Sequence, residues 1–160
     1  MTGNSTVSLR LAGPPDAAAI ARLVNRAYEV ERFFVQGDRT SPDDVRTLLG
    51  RGVFILAMNE QDSLQGCVHV HVSGAGGRFG MLAVEPGAWG QGIGRRLIDA
   101  AEARAREGGA EMMTIEVVNL RTDLFPLYEK LGYQRAGTAP YVHRPVIQPC
   151  HFVVMTKQLG

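Results

Sequence analysis

One segment constrains this chain more than any other: residues 81–97, which read MLAVEPGAWGQGIGRRL. An apolar strand ends at a Glu-Pro-Gly turn, and a glycine-rich stretch then leads into a long helix. The first turn of a helix has amides without intrahelical partners and carries about half a unit of positive charge. A diphosphate can approach such a helix start where bulk is missing, and Gly90, Gly92 and Gly94 provide that clearance. The segment therefore predicts a diphosphate site, with a simple tight turn as the alternative.

The spacing of these glycines excludes two familiar phosphate-binding loops. They do not form the GxGxxG of dinucleotide-binding folds, and no Lys-Ser or Lys-Thr pair follows them as in GxxxxGK. Arg95 and Arg96 add positive charge at the same helix start. The sequence therefore favours neither NAD nor ATP as the ligand.

Composition predicts one globular domain over residues 1–160, because 45% of the residues are apolar and 21% are charged. A formal charge of +1 and a pI near 7.9 give no basic field that would favour nucleic acid. Cys67 and Cys150 lie too far apart in sequence for a zinc knuckle or a CxxC redox pair. We therefore expect two buried thiols and no metal.

Neither a secretion signal nor a membrane span is predicted. Residues 1–8 are polar and lack the charged-then-apolar pattern of a signal peptide. No run approaches the roughly 20 apolar residues that cross a bilayer. A cytoplasmic protein without membrane association is the expectation.

The hydrophobic pattern predicts seven strands and four helices. The strands are expected at residues 7–11, 53–58, 64–72, 79–84, 112–118, 133–138 and 151–156, and the helices start near Pro14, Ser41, Gly92 and Asp123. Gly74, Gly76 and Gly77 should form a loop before the fourth strand. Hairpins imply antiparallel pairing, whereas the third helix can cross over and leave strands four and five parallel. The predicted class is α/β (α+β), with a mixed, mostly antiparallel sheet flanked by about four helices.

Two motifs, in this order, resemble those of the GNAT N-acetyltransferase superfamily. The first is a strand ending in Val-x-Pro, followed by Q/R-x-x-G-x-G/A at a helix start, and Val84, Pro86, Gly92 and Gly94 match it. The second is LYEKLGY at residues 127–133. Trp89 stands where the family has Gln or Arg, so one polar contact to the cofactor is expected to be missing or replaced by packing.

The resemblance implies that acetyl-coenzyme A binds where strands four and five splay apart. Main-chain groups of Leu82, Ala83 and Val84 would bond the pantetheine. Beside Trp89, the pyrophosphate would be held by amides of Gly90, Gln91, Gly92, Ile93, Gly94 and Arg95. The family also places an asparagine near the end of the fifth strand. Asn119 is the candidate, although an ungapped comparison places Arg121 there.

Acetyl transfer from a thioester to an amine needs a base for the amine and an acid for the leaving thiolate. By the same resemblance, Tyr128 would face the sulfur and is the candidate acid, with amphipathic packing as its alternative and the preferred interpretation for Tyr133. Glu116 interrupts the apolar strand Met112–Val118, where a charge is costly unless it faces water or a site. Ile-Glu-Val here is similar to the Leu-Glu-Val strand of ribosomal-protein N-terminal acetyltransferases, whose glutamate is the base. An outward or salt-bridged glutamate is the alternative.

Other candidates surround the expected acceptor site. His69 and His71 share one face of the third strand and are alternative bases, although a solvated sheet face is the simpler interpretation. In this family the segment after the first helix usually forms the acceptor wall, so substrate-binding candidates are Glu29, Glu31, Arg32 and Phe33, together with His71. The loop at residues 140–149 would close the opposite wall through Tyr141, His143 and Arg144, with surface packing as the alternative.

The leading hypothesis is an acetyl-coenzyme A-dependent N-acetyltransferase that modifies a primary amine by direct attack in a ternary complex. A non-catalytic acyl-coenzyme A sensor is the first alternative, and an unrelated nucleotide-binding fold is the second. The acceptor, a small molecule or a peptide amine, cannot be named from fold analogy. Exposed edge strands near Val153 would permit a homodimer.

Overall fold

The computed structural model describes residues 6–160, which form seven β-strands and four α-helices. The strands are β1 (Ser8–Leu11), β2 (Val53–Met58), β3 (Leu64–Ser73), β4 (Gly76–Val84), β5 (Met112–Val118), β6 (Gln134–Pro140) and β7 (His151–Gln158). The helices are α1 (Ala17–Ala27), α2 (Pro42–Leu49), α3 (Ile93–Glu107) and α4 (Leu124–Lys130). Residues 1–5, most of the polar start that disfavours a signal peptide, lie outside the described residues. Within residues 6–160, no helix is long and apolar enough to cross a bilayer.

All seven strands form one sheet in the order β1-β2-β3-β4-β5-β7-β6. Neighbouring strands run antiparallel except β4 and β5, which are parallel. α3 connects these two strands, because parallel neighbours need a crossover connection. The predicted order of elements and the mixed, mostly antiparallel sheet are therefore confirmed.

β4 and β5 pair along only part of their lengths. Residues 76–78 pair with residues 112–114, and beyond that point both strands continue without pairing to each other, as far as Val84 and Val118. The predicted splay between strands four and five is thus present in the fold.

An extra residue in β4 accounts for the splay. Cys67 on β3 faces Ala83, but His69, two residues later, faces Gly80, so β4 contains one residue more than its partner. Met81 lies at this bulge with a φ of +53°, in the left-handed region. A bulge bends its strand and increases its twist. β4 therefore turns away from β5 while it stays paired with β3.

The two faces of the sheet bury separate clusters. Along β2, Phe54 and Leu56 point to one face and Ile55 and Ala57 to the other, because successive side chains of a strand alternate. α1 and α2 cover the first face, and α3 and α4 cover the second. Burial on both faces explains why β2 is an unbroken apolar run.

The glycine cluster before β4 differs from the expectation. Only Gly74, with a φ of +59°, lies in the turn, whereas Gly76 and Gly77 already belong to β4. A Cβ atom on Gly77 would lie 3.0 Å from the Cβ atom of Ala105 on α3. The prediction of a three-glycine loop is therefore wrong at Gly76 and Gly77, because Gly77 serves the close approach of α3 to the sheet.

A buried carboxylate links α3 to the closing strands. Glu102 is 4% exposed. It accepts a hydrogen bond from the Tyr133 hydroxyl at 2.8 Å and two from the Lys157 ammonium at 3.0 and 3.1 Å. Burial and the bond to Glu102 raise the pKa of Tyr133, so its hydroxyl keeps the proton that it donates.

Replacing Glu102 with Gln should lower the free energy of unfolding by about 1–3 kcal/mol, because the half-buried Lys157 loses its charged partner. Glu107→Gln, at an exposed position on the same helix, is the matched control and should stay within about 0.5 kcal/mol of the parent. Urea denaturation followed by circular dichroism measures both. Equal stability of the two variants would contradict a stabilising role for the network.

Candidate functional site

The splay opens a cavity of about 1140 Å³. One end lies at the start of α3, at Trp89 and Gly94, and the middle is lined by the unpaired parts of β4 and β5. The other end lies between the segment that follows α1 and the loop before β7, at Tyr28 and Tyr141. A single cavity therefore joins the predicted anion site to the predicted acceptor wall.

The start of α3 is open, as the glycine spacing predicts. Gly90 and Gly92 have φ values of +83° and +79°, which side chains rarely adopt, and a Cβ atom on either would meet no heavy atom of the described chain within 4 Å. The amide of Arg96 bonds the carbonyl of Gly92 at 3.1 Å and begins the helical ladder. The amides before it are the first-turn donors that an intrahelical partner cannot reach. This arrangement can hold an anion.

Trp89 folds back onto the end of β4. Its indole N–H donates to the carbonyl of Val84 at 2.9 Å, while 54% of the residue stays exposed at the cavity rim. Of the two main-chain groups of Val84, the carbonyl is thus already engaged. Leu82 and Ala83 also line the cavity.

The two arginines after the glycines differ in their freedom. Arg95 pairs with Asp99 at 3.2 Å and its side chain is 63% exposed. Arg96 instead donates to the main-chain carbonyl of Val7 at 2.6 Å, which ties α3 to the start of β1. Arg95 is therefore the more mobile charge at the helix start, and Ile93 is buried beneath it in the core.

Tyr128 lies on α4 with its ring in an aromatic cluster. The ring centre is 6.3 Å from that of Phe79 and 5.9 Å from that of Tyr133. The residue is 7% exposed, yet it lines the cavity. Burial raises the pKa of Tyr128, so its hydroxyl is protonated at neutral pH and can donate a hydrogen bond or a proton.

Glu116 lies on β5 just beyond the last residue that pairs with β4. Its carboxylate is 3.5 Å from the guanidinium of Arg78, and its side chain is 28% exposed. Both residues line the cavity. The Glu116 side chain therefore both faces the cavity and forms a salt bridge with Arg78.

The two histidines of β3 are not equivalent. His69 is buried beside Phe54, and its Nε2 atom lies 2.8 Å from the carbonyl of Leu48, so Nε2 must carry the proton and donate it. Burial lowers the pKa of His69 and keeps the ring neutral. His71 is half-buried, and both line the cavity. The expectation of a solvated face is thus wrong for His69, because the end of α2 covers it.

A buried carboxylate holds together the end of the cavity at Tyr28 and Tyr141, which is the predicted acceptor end. Glu31 is 4% exposed, and its two oxygens lie 2.6 Å from Arg144 and 3.0 Å from Arg121. Arg144 also donates to the Tyr141 hydroxyl at 3.2 Å. These bonds join the segment after α1, the loop after β5 and the loop before β7.

The other predicted site residues divide between the cavity and the outer surface. Phe33 lines the cavity, whereas Glu29 and Arg32 belong to the exposed surface of the same segment. Asn119 exchanges hydrogen bonds with the main chain of His151 and lines a separate depression beside α4. Arg121, the alternative to Asn119, lies in the cavity.

Sequence reasoning missed three arginines that line the cavity, Arg39, Arg51 and Arg78. None of them belongs to a motif. The guanidinium carbon of Arg39 lies 5.6 Å from the centre of the Tyr28 ring. Of the described residues, no group of three or more histidine, cysteine, aspartate or glutamate side chains is placed to hold a metal ion.

Comparison with known proteins gives one matching family model, described as Acetyltransferase (GNAT) family, over residues 18–133. An IAA acetyltransferase of Azospirillum brasilense is 28% identical over 106 residues, which cover 64% of this chain and 69% of that protein. A blasticidin-S acetyltransferase of Streptomyces morookaense is 36% identical over 85 residues, which cover 52% of this chain and 61% of that protein. The match therefore spans less than two thirds of the second relative.

Among solved structures, yncA of Salmonella typhimurium, determined with its cofactor acetyl-CoA, is similar with a TM-score of 0.73. The sequences are 20% identical, and the match covers 96% of this chain and 94% of the other. At this identity the likeness shows a shared fold.

The pKa of His143 reports on the charges at the acceptor end. Its ring packs against those of Tyr141 and Phe152, and its burial, followed by the charges of Arg39 and Arg144, lowers its pKa to about 4. Replacing Arg39 with Gln should raise the pKa of His143 toward the ordinary value of about 6.5, because one repelling charge is removed. An NMR titration of the imidazole measures the change.

The matched control is Arg46→Gln on α2, since Arg46 is exposed and pairs with Asp43. It should leave the pKa of His143 where it is. If Arg39→Gln also left the pKa of His143 unchanged, Arg39 would not face this ring.

Proposed function

The chain belongs to the acetyltransferase (GNAT) family, and on this premise we propose that it transfers the acetyl group of acetyl-coenzyme A to a primary amine. The amine attacks directly, in a ternary complex of protein, acetyl-coenzyme A and acceptor. The observation that carries the proposal is the open start of α3 at one end of the splay, in the same cavity as Tyr128 and Glu116.

The residues at the helix start fit the pyrophosphate of coenzyme A. The space beside Gly90 and Gly92 is free, and the first-turn amides of α3 supply donors for phosphate oxygens. Leu82 borders the gap where β4 no longer pairs with β5, so its main-chain groups can bond the pantetheine amides, whereas those of Ala83 face its partner Cys67 on β3. Trp89 would pack against the cofactor with its exposed ring.

Bound acetyl-coenzyme A supplies an activated acetyl thioester. In the transfer, a carbon–nitrogen bond forms, the carbon–sulfur bond breaks, the amine loses one proton and the sulfur gains one. Glu116 is the proposed base, because its carboxylate lies in the cavity at the splay and can accept the amine proton directly or through water. His71 is an alternative base on the neighbouring strand.

Tyr128 is the proposed acid. Its raised pKa keeps the hydroxyl protonated at neutral pH, and its place in the cavity allows the hydroxyl to donate to the leaving sulfur. Phe79 and Tyr133 hold the ring on two sides, so the hydroxyl has a defined position. The transferred proton would return to Tyr128 from solvent or from the base.

The acceptor is proposed to be a small molecule. Two relatives are named for compounds, IAA and blasticidin S, rather than for proteins. The Glu31–Arg144 pair holds the loop before β7 against the segment after α1. This contact limits the space for a large acceptor.

Coenzyme A binding can be followed without a label, because Trp89 is the only tryptophan of the chain. Titration with coenzyme A should change the Trp89 emission saturably. Replacing Gly92 with Ala should weaken binding about tenfold, because its left-handed φ is strained for alanine and the side chain enters the anion site.

Gly87→Ala, in the turn before Trp89, is the matched control and should bind like the parent, since Gly87 has no positive φ and open space around it. Equal affinity of the Gly92 and Gly87 variants would contradict an anion site at the start of α3.

Replacing Tyr128 with Phe should lower the rate of acetyl transfer about 10²- to 10⁴-fold with little change in coenzyme A affinity, because the ring stays and the proton donor is lost. Tyr133→Phe is the control, since that hydroxyl bonds Glu102 away from the cavity, and it should reduce stability but not rate. Release of free thiol in the presence of amines measures the rate. A parent protein that binds coenzyme A but acetylates no amine would instead indicate an acyl-coenzyme A sensor.

A further inference from the structure

We propose that the acceptor carries a carboxylate beside its amine, and that Arg39 binds this carboxylate within the cavity. The inference rests on the proposed acetyl transfer and deepens it, because it names the chemical class of the acceptor as an amino carboxylate.

The arginines of the cavity differ in whether the protein itself neutralises them. Arg121 lies 3.0 Å from Glu31, and Arg78 lies 3.5 Å from Glu116. No carboxylate of residues 6–160 lies within 4.0 Å of the Arg39 guanidinium. Arg39 is therefore a cavity charge whose counter-ion the described chain does not supply.

Arg39 is also held in place and partly removed from water. The residue is half-buried, and its guanidinium lies over the Tyr28 ring. Stacking on an aromatic ring recovers only part of the free energy that a charge loses when it leaves water. Arg51 also lines the cavity without an acidic partner among the described residues, but it is exposed after the end of α2, where water solvates it. A ligand anion therefore gains more electrostatic stabilisation at Arg39 than at Arg51.

The surroundings of Arg39 disfavour a second cation. Burial, followed by the charges of Arg39 and Arg144, lowers the pKa of His143 and keeps its ring neutral, and Glu31 lies 2.6 Å from Arg144. A neutral imidazole adds no competing positive charge for the ligand, and it offers no negative charge to Arg39. An ammonium group placed against Arg39 would be repelled by it, whereas a carboxylate would be attracted to it.

An apolar and aromatic part of the cavity lining, formed by Val30, Phe33, Tyr141 and Val142, lies at this end as well. A guanidinium presents two parallel N–H donors that match the two oxygens of a carboxylate. Apolar L-amino acids therefore combine the groups that this wall can recognise, and L-leucine, L-methionine and L-phenylalanine are suitable test acceptors.

The experiment compares each of these amino acids with its primary amide, which keeps the amine and the side chain and removes the negative charge. Free thiol release from acetyl-coenzyme A is measured over a pH series, because the amides have less basic amines. We expect the parent protein to favour the acids at least tenfold in kcat/KM. Arg39→Gln should raise KM for the acids roughly 10- to 100-fold and leave the amides unchanged. Arg46→Gln, on the exposed face of α2, should behave like the parent.

Equal use of acids and amides by the parent protein would overturn the inference while still demonstrating acetyl transfer. So would an Arg39 variant that loses acids and amides alike, since that pattern indicates a structural role. Turnover of amines that lack a carboxylate, with no turnover of any of the amino acids, would also overturn it. Failure of acetyl transfer itself is recognised separately, as coenzyme A binding reported by Trp89 without thiol release from any amine.

Discussion

The extra residue in β4 at Met81 is the feature on which the site depends. It preserves pairing with β3 on one edge and ends pairing with β5 on the other, so a continuous sheet contains a gap. The left-handed φ of Met81 costs about 1–2 kcal/mol. Burial of the Met81 side chain against α1 offsets this cost, because the residue belongs to the cluster beneath that helix. The packing of one face thus stabilises the opening between strands.

Under the proposed function, the two ends of the cavity would recognise their ligands by different means. At the start of α3, donors come from the main chain, and the sequence needs only glycines where bulk would interfere. Trp89 can therefore replace the Gln or Arg of the family motif, since its indole bonds the Val84 carbonyl and its ring stays free. At the acceptor end, side chains decide what fits. That difference allows one fold to keep a cofactor and change its acceptor.

Glu31 organises the acceptor end because it is buried and pairs with two arginines from distant segments. Breaking a buried pair leaves an uncompensated charge, so the three segments are held to one arrangement. Asp123 also pairs with Arg121, at 3.1 Å, so the two carboxylates together balance the charges of Arg121 and Arg144. Arg39 remains, half-buried over Tyr28. The network around Glu31 therefore shapes the wall of the acceptor end and also determines which of its arginines can pair with a ligand.

The sequence by itself determined the order of elements, the crossover at α3 and the open glycine turn at the start of α3, because periodicity, turn chemistry and helix starts depend on neighbours in the chain. The tertiary structure alone decided that Gly77 lies against α3, that α2 covers His69 and that Asn119 bonds the main chain of His151. It also decided that Arg39 lines the cavity with no acidic partner within 4.0 Å among residues 6–160. Burial and charge pairing depend on residues far apart in sequence, and no local pattern records which of them will meet.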